Sequence, residues 1–168
     1  SGTFVAPDAV LSAAHCFVGD TVDDLVDPTS VAVLGGAKLL EQRQRLATAK
    51  AIVLAPGYAP TFEAGNPFAD LAIVFVSEPV DAAETYPVSW LDSPVPGSSA
   101  RMVGYGASGP DSAGTYVHRT GMTKVLPPEE GVSVPNVLLL GGPASACYGD
   151  SGGALLCQKD GEPLLCGV

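Results

Sequence analysis

Short apolar runs separated by turn-forming residues make up most of the chain. Each run has the length of a β-strand, and most are bounded or interrupted by glycine or proline, of which the sequence has 20 and 15. Runs of this length and spacing predict an all-β protein, either a barrel or a sandwich. The runs are VAVLGG (31–36), KAIVLAPG (50–57), LAIVFV (71–76), ARMVGYG (100–106), NVLLLGG (136–142), GALLC (153–157) and PLLCGV (163–168).

One segment departs from this pattern. Residues 37–50, AKLLEQRQRLATAK, are good helix formers apart from a single threonine, so propensity alone predicts a helix there. The segment also carries four of the eight basic residues of the chain. We interpret these charges as a solvated face rather than as a binding patch.

A proline- and serine-rich stretch, YPVSWLDSPVPGSS (86–99), separates two strand-rich regions. Such a composition is typical of a linker between structural units. We therefore predict an N-terminal half over 1–85, a linker over 86–99 and a C-terminal half over 100–168.

Composition narrows the possible functions. The 168 residues carry a net charge of -10, which argues against nucleic acids and anionic membranes as partners. With 46% hydrophobic and 15% charged residues, the chain is not a disordered acidic tract. No apolar run reaches the roughly 20 residues of a membrane span. The sequence has neither zinc-type Cys/His spacing nor a dense acidic loop, so we expect no metal or cofactor.

Residues 146–156, ACYGDSGGALL, place an acid and a serine among glycines directly before an apolar run. Glycine is used where the backbone needs an unusual conformation or where another group approaches closely. Two interpretations are open: a tight turn before a strand, or a reactive serine on a loop whose backbone N–H groups are free to meet a developing anion.

Two further motifs place ionisable residues beside apolar runs. In VLSAAHCF (10–17), His15 follows an apolar run, although a lone histidine is usually structural. In NPFADLAIVFV (66–76), Asp70 stands at the entrance of a strongly apolar run. Capping a loop is the commoner role for such an acid, but a carboxylate entering a buried strand is costly without a partner.

Together these motifs resemble those of the chymotrypsin/trypsin-like serine proteases. The resemblance is carried by SAAHC, ADLAIV, GYG and CYGDSGG, which are spread over nearly the whole chain. It implies two antiparallel β-barrels with the catalytic residues between them, and it overrides the helix at 37–50. It also implies a secreted, monomeric endopeptidase that acts on polypeptides and meets protein inhibitors.

The resemblance assigns roles to individual residues. His15 would be the general base, Asp70 would accept the other imidazole N–H, and Ser151 would form the acyl-enzyme. The backbone N–H groups of Gly149 and Ser151 would form the oxyanion hole. Asp150 would pair with an amino terminus released from a propeptide; the alternative is a solvated aspartate in a turn.

The resemblance also places family elements outside this chain. A first strand and an activation site would precede residue 1, and further strands and a helix would follow residue 168. Residues 1–168 alone are therefore expected to be inactive. Cys16 would pair with a cysteine upstream of the chain, and Cys147 with one downstream.

The other two cysteines, Cys157 and Cys166, flank a turn. If residues 160–163 form a four-residue loop, the two cysteines lie directly opposite each other, whereas a two-residue turn at 160–161 leaves them diagonal. We predict a disulfide bond between them, with two buried free thiols as the alternative. Four cysteines are ordinary for a secreted globular domain.

Substrate preference depends on Ser145, which by the resemblance lies at the floor of the primary specificity pocket. A neutral serine offers a buried lysine or arginine no counter-charge, so we expect cleavage after apolar or aromatic residues. An α/β-hydrolase would use G-x-S-x-G and the order Ser, Asp, His, which this chain does not follow. The remaining alternative is a non-catalytic, protease-like binding or regulatory protein.

Overall fold

The computed structural model describes residues 1–81, 85–88, 94–109, 115–127 and 140–168. Within these ranges the regular structure is mostly strand, which confirms the all-β prediction. The strands are β1 (Thr3–Ala6), β2 (Ala9–Ser12), β3 (Ala32–Gly35), β4 (Gln44–Leu54), β5 (Ala72–Val76), β6 (Ser99–Gly104), β7 (Arg119–Val125), β8 (Leu140–Gly141), β9 (Ala154–Lys159) and β10 (Glu162–Gly167). The helix α1 spans Leu39–Gln42, and 3-10 turns span Ala14–Cys16 and Pro28–Ser30. No helix in the described ranges is long and apolar enough to cross a membrane.

The strands form two five-stranded antiparallel sheets. The first sheet has the order β1-β2-β5-β4-β3 and the second has the order β10-β9-β6-β7-β8. The start of the predicted linker contacts both sheets, because Tyr86 N–H donates to Phe4 O (3.4 Å) and Leu165 N–H donates to Pro87 O (2.9 Å). Residues 89–93 of that linker lie outside the described residues.

The helix that propensity predicts over 37–50 is wrong for most of its length. The one-turn helix α1 is followed at once by β4, whose backbone pairs with β3 on one side and β5 on the other. Ala49 and Ile52 of this strand are buried in the core of the first sheet. Pairing on two sides together with this burial outweighs a propensity of a few tenths of a kcal/mol per residue.

Strand β2 packs into two hydrophobic clusters at once. All four of its residues are buried. Val10 joins the core of the first sheet, where it packs with Ile52, whereas Leu11 packs against Leu156 and Leu165 of the second sheet. Because neighbouring residues of a strand point to opposite faces, β2 lies between the first core and the contact of the two sheets.

The hairpin of β9 and β10 contains the disulfide bond between Cys157 and Cys166, as predicted. Of the two turns that the sequence left open, the two-residue turn is formed: residues 160–161 both have positive φ (53° and 88°), and Cys157 lies opposite Leu164. The strand register shifts at Cys166, which is therefore an extra residue in β10. This bulge brings the diagonal cysteines together, with their Cα atoms 5.8 Å apart.

Candidate active site

Strand β2 leads directly into the turn that carries His15. The strand ends at Ser12, and the 3-10 turn follows with Ala14 fully buried in the first core. Burial of Ala14 anchors the turn, while the His15 side chain remains 49% exposed. The apolar run of the motif therefore serves to hold the histidine at the surface of the sheet.

Asp70 reaches His15 from the loop before β5. Its Oδ2 lies 2.6 Å from His15 Nδ1, and its Oδ1 accepts a hydrogen bond from the His15 backbone N–H at 2.8 Å. One carboxylate thus holds both the ring and the backbone of the histidine. In the neutral imidazole, this contact keeps the proton on Nδ1 and leaves Nε2 as an acceptor.

His15 Nε2 lies 3.7 Å from the sulfur of Cys16. A hydrogen bond between Nε2 and Ser151 Oγ is not among those formed by the described residues. Cys16 is unpaired within the described part of the chain. Desolvation raises the pKa of its thiol; the positive amino terminus lowers that pKa in part, and the negative charge of Asp70 raises it. The net shift is upward, so the thiol stays protonated at neutral pH.

A buried tyrosine that the sequence analysis did not single out also lies near Asp70. Tyr58 is 7% exposed and belongs to the core of the first sheet. Desolvation raises the pKa of its hydroxyl, and the charge of Asp70 adds to that effect. Tyr58 is therefore a neutral packing residue beside the His15–Asp70 pair, and its place in a proline-flanked loop gave no signal of this.

The loop 147–153, which we call the nucleophile loop, precedes β9 and carries Ser151. The carbonyl of Tyr148 accepts a hydrogen bond from Ala107 N–H at 2.8 Å. Since C=O and N–H point in opposite directions in a trans peptide group, the N–H of the next residue, Gly149, points away from Ala107. Gly149 has a φ of 89°, which glycine adopts at little cost.

The N–H of Ser151 is directed in the same manner. The carbonyl of Asp150 accepts a hydrogen bond from Gly153 N–H at 2.7 Å, so the N–H of Ser151 points away from Gly153. Neither the N–H of Gly149 nor that of Ser151 donates to another described residue. The loop therefore presents two oriented backbone donors that have no partner in the described part of the chain.

The carboxylate of Asp150 is enclosed by backbone. Its Oδ1 accepts from Gly106 N–H at 2.8 Å and its Oδ2 accepts from Cys147 N–H at 2.9 Å. A Cβ at either Gly104 or Gly106 would collide with this carboxylate. The two glycines of the GYG motif thus make room for Asp150; its pairing with an amino terminus stays a prediction.

Ser1 connects the nucleophile loop with the first sheet. Its backbone nitrogen donates to Ser151 O at 2.7 Å, and its Oγ donates to Gly149 O at 2.9 Å. The same Oγ accepts from Tyr105 N–H at 3.2 Å. Ser12 Oγ in turn donates to Ser1 O at 2.7 Å. Nothing in the local sequence around Ser1 pointed to this role.

Ser145, the predicted floor of the specificity pocket, lies in the segment between β8 and the nucleophile loop. It is exposed, as is its neighbour Ala146. Its side chain makes no hydrogen bond to another described residue. The role of Ser145 therefore stays a prediction.

A comparison with protein families agrees with this arrangement. The family model described as Trypsin matches residues 1–168, which is the whole sequence given. The matched region includes both sheets, the His15–Asp70 pair and the nucleophile loop.

Proposed function

The chain belongs to the trypsin family of serine peptidases, and on that premise we propose that it is a serine endopeptidase using His15, Asp70 and Ser151. The observation that supports this most directly is the 2.6 Å contact between Asp70 Oδ2 and His15 Nδ1. That contact leaves Nε2 as the free base of the imidazole, which is the state that a serine nucleophile requires.

The proposed reaction proceeds in two stages. As Ser151 Oγ attacks the carbonyl carbon of the scissile peptide bond, His15 Nε2 takes the hydroxyl proton, and Asp70 stabilises the imidazolium that forms. His15 then gives the proton to the leaving amine, and the acyl group stays on Ser151. Water repeats the sequence and releases the carboxylic acid. The hydrogen bond from Oγ to Nε2 would form when substrate binds, as catalytic hydrogen bonds often do.

The oxyanion of the tetrahedral intermediate would bind the N–H groups of Gly149 and Ser151. Neither donates to another residue within the described ranges, and both are oriented by their neighbouring carbonyl groups. Each donor contributes about 3 to 4 kcal/mol to the transition state in sites of this kind. Asp150 would accept a processed amino terminus as a further donor, because a carboxylate has about four lone-pair positions and two are used by backbone N–H groups.

The substrates would be polypeptides, cleaved after apolar or aromatic residues because Ser145 provides no counter-charge for a basic side chain. We further propose that the enzyme is secreted as a zymogen, acts as a monomer and is open to protein inhibitors. The Cys157–Cys166 disulfide supports an oxidising compartment.

A fluorophosphonate probe tests the proposal in the intact protein. We expect covalent labelling of Ser151, and we expect Ser151→Ala and His15→Ala each to lower kcat by at least about 10³-fold, since these groups act as a unit. The matched control is His118→Ala, which removes the other histidine of the chain. His118 is exposed and has no role in the proposed reaction, so this variant should leave kcat unchanged.

Contrary outcomes separate the alternatives. Full activity of Ser151→Ala or His15→Ala would contradict the catalytic assignment. If the intact protein binds polypeptides but is not labelled, the result would instead support a non-catalytic, protease-like binding or regulatory protein. Peptides ending in Phe, Leu, Ala and Arg test the preference, and dominant cleavage after Arg would contradict the role given to Ser145.

A further inference from the structure

The proposed base and nucleophile come from different sheets. His15 follows β2 of the first sheet, whereas Ser151 precedes β9 of the second. Proton transfer between them needs heavy atoms about 2.6 to 3.2 Å apart, and a misplacement of about 1 Å costs on the order of 10²-fold in rate. The nucleophile loop must therefore be held in register with the first sheet.

Ser1 makes the hydrogen bonds that connect the two. Among the described residues, two hydrogen bonds join the nucleophile loop to residues 1–81, and both come from Ser1. They run from its backbone nitrogen to Ser151 O (2.7 Å) and from its Oγ to Gly149 O (2.9 Å). The other hydrogen bonds of the loop are internal or lead to the segment after β6.

The side-chain hydroxyl of Ser1 is held on both sides. It donates its proton to Gly149 O and accepts from Tyr105 N–H, so its donor and one lone pair are used. The carbonyl of Ser1 is bonded by Ser12 Oγ, and Ser12 is 2% exposed within β2. Ser1 is therefore anchored to the strand that leads to His15.

Gly149 O, which accepts the hydrogen bond from this hydroxyl, lies in the middle of the nucleophile loop. Gly149 O belongs to the peptide group shared with Asp150, whose N–H is bonded to Cys147 O at 3.0 Å. With both ends bonded, the plane of that peptide group is fixed, and it lies between the N–H groups of Gly149 and Ser151.

We infer that Ser1 is a positioning residue for catalysis. Its hydroxyl orients the two oxyanion donors from the side of the first sheet. This inference rests on the proposed function. The inference is limited to the side chain of Ser1. The hydrogen bond from its backbone nitrogen to Ser151 O does not depend on the side chain, and it would remain after any substitution that keeps the backbone N–H.

The test measures fluorophosphonate labelling of the intact protein as a function of probe concentration, which separates kinact from KI. Ser1→Ala should lower kinact about 5- to 10-fold, which is the change in rate expected from the loss of one neutral hydrogen bond. KI should stay unchanged. Ser1→Thr keeps a hydroxyl and should restore kinact. Ser30→Ala is the matched control, because Ser30 Oγ donates to the Asp27 carbonyl at 2.7 Å in a turn outside the nucleophile loop.

The outcomes distinguish this inference from the function on which it rests. If the wild type is labelled and Ser1→Ala has an unchanged kinact, the inference alone is overturned. It is also overturned if Ser1→Thr is as slow as Ser1→Ala, or if Ser30→Ala is equally slow. A wild-type protein that is never labelled at Ser151 refutes the proposed function and this inference together.

Discussion

Replacing Gly106 with alanine should displace the Asp150 carboxylate. A Cβ at position 106 would lie 2.6 Å from both carboxylate oxygens, far inside the roughly 3.5 Å at which non-bonded atoms pack favourably. The Asp150 side chain is short and is bonded at both oxygens, to Gly106 N–H and Cys147 N–H. It cannot move away from the new methyl group and keep both hydrogen bonds.

The size of the effect follows from those two bonds. Each hydrogen bond to a charged group contributes about 1.5 to 3 kcal/mol. Because Asp150 is partly exposed, we take the lower value for each of its two bonds, which gives a joint loss of about 3 kcal/mol. Urea unfolding followed by circular dichroism measures it, with an unchanged m-value expected. The control is Gly109→Ala, because a Cβ at Gly109 meets nothing within 4 Å; its change should stay below about 1 kcal/mol.

A double-mutant cycle identifies the cause. Asp150→Ala removes the carboxylate and with it the obstacle, so Gly106→Ala should cost little in that background. The coupling should reach about 2 to 3 kcal/mol. Additive losses, or a Gly106→Ala variant as stable as Gly109→Ala, would refute the reasoning.

Three further predictions concern stability. Replacing Cys157 and Cys166 together by alanine should lower the free energy of unfolding by about 3 kcal/mol, as chain entropy gives for a sequence separation of 9. A loss below about 1 kcal/mol in urea would show that the turn alone holds the hairpin. Thr29→Val should destabilise the protein at neutral pH, and the loss should shrink in acid as the pH falls through the pKa of Asp27. The reason is that hydrogen bonds from the Thr29 hydroxyl and N–H lower the pKa of Asp27 below its ordinary 3.8. The stability from a lowered pKa is complete above the unfolded value and is lost as the pH falls through the folded value. Equal losses at neutral and acidic pH in thermal melts would contradict it. Leu11→Ala should cost about 2 to 5 kcal/mol because the side chain packs between the sheets; calorimetry that shows no fall in the unfolding temperature would speak against that packing.

The strand-rich fold follows from local sequence, whereas the segment 37–50 does not. Glycine and proline bound the apolar runs, and most runs became strands close to where the pattern predicts them. In 37–50 the local signal favours helix, but β4 receives hydrogen bonds from both β3 and β5. β3 lies just before the segment and β5 well after it. Since both partners lie outside the segment, propensity within it carries no trace of them.

The hairpin with the disulfide shows a similar limit. The pairing of Cys157 with Cys166 could be predicted because few residues separate them. The sequence left two registers open. The positive φ of residues 160–161 gives the shorter turn, and a bulge at Cys166 accompanies it. A bulge depends on how both strands pack, and that is not encoded in either strand alone.

For the candidate site, the motifs around His15 and Asp70 were visible, and the structure brings these two residues together. Two other features were not visible in the sequence. One is the enclosure of Asp150 by Gly104 and Gly106, and the other is the set of hydrogen bonds made by Ser1. Each joins residues that are far apart along the chain, and glycine or serine at such places looks like any turn residue. The spacing of two glycines around one aromatic residue was the available signal.

The packing of β2 into two clusters constrains the number of residues in the strand more tightly than the identity of its apolar side chains. A one-residue insertion or deletion would reverse the faces of Val10 and Leu11, because side chains alternate along a strand. It would also reverse the side on which Ser12 meets Ser1 and the direction from which the chain enters the His15 turn. Exchanges among apolar residues of similar volume should be tolerated in β2. The number of residues between Ala9 and His15, in contrast, should vary little among functional variants of this protein.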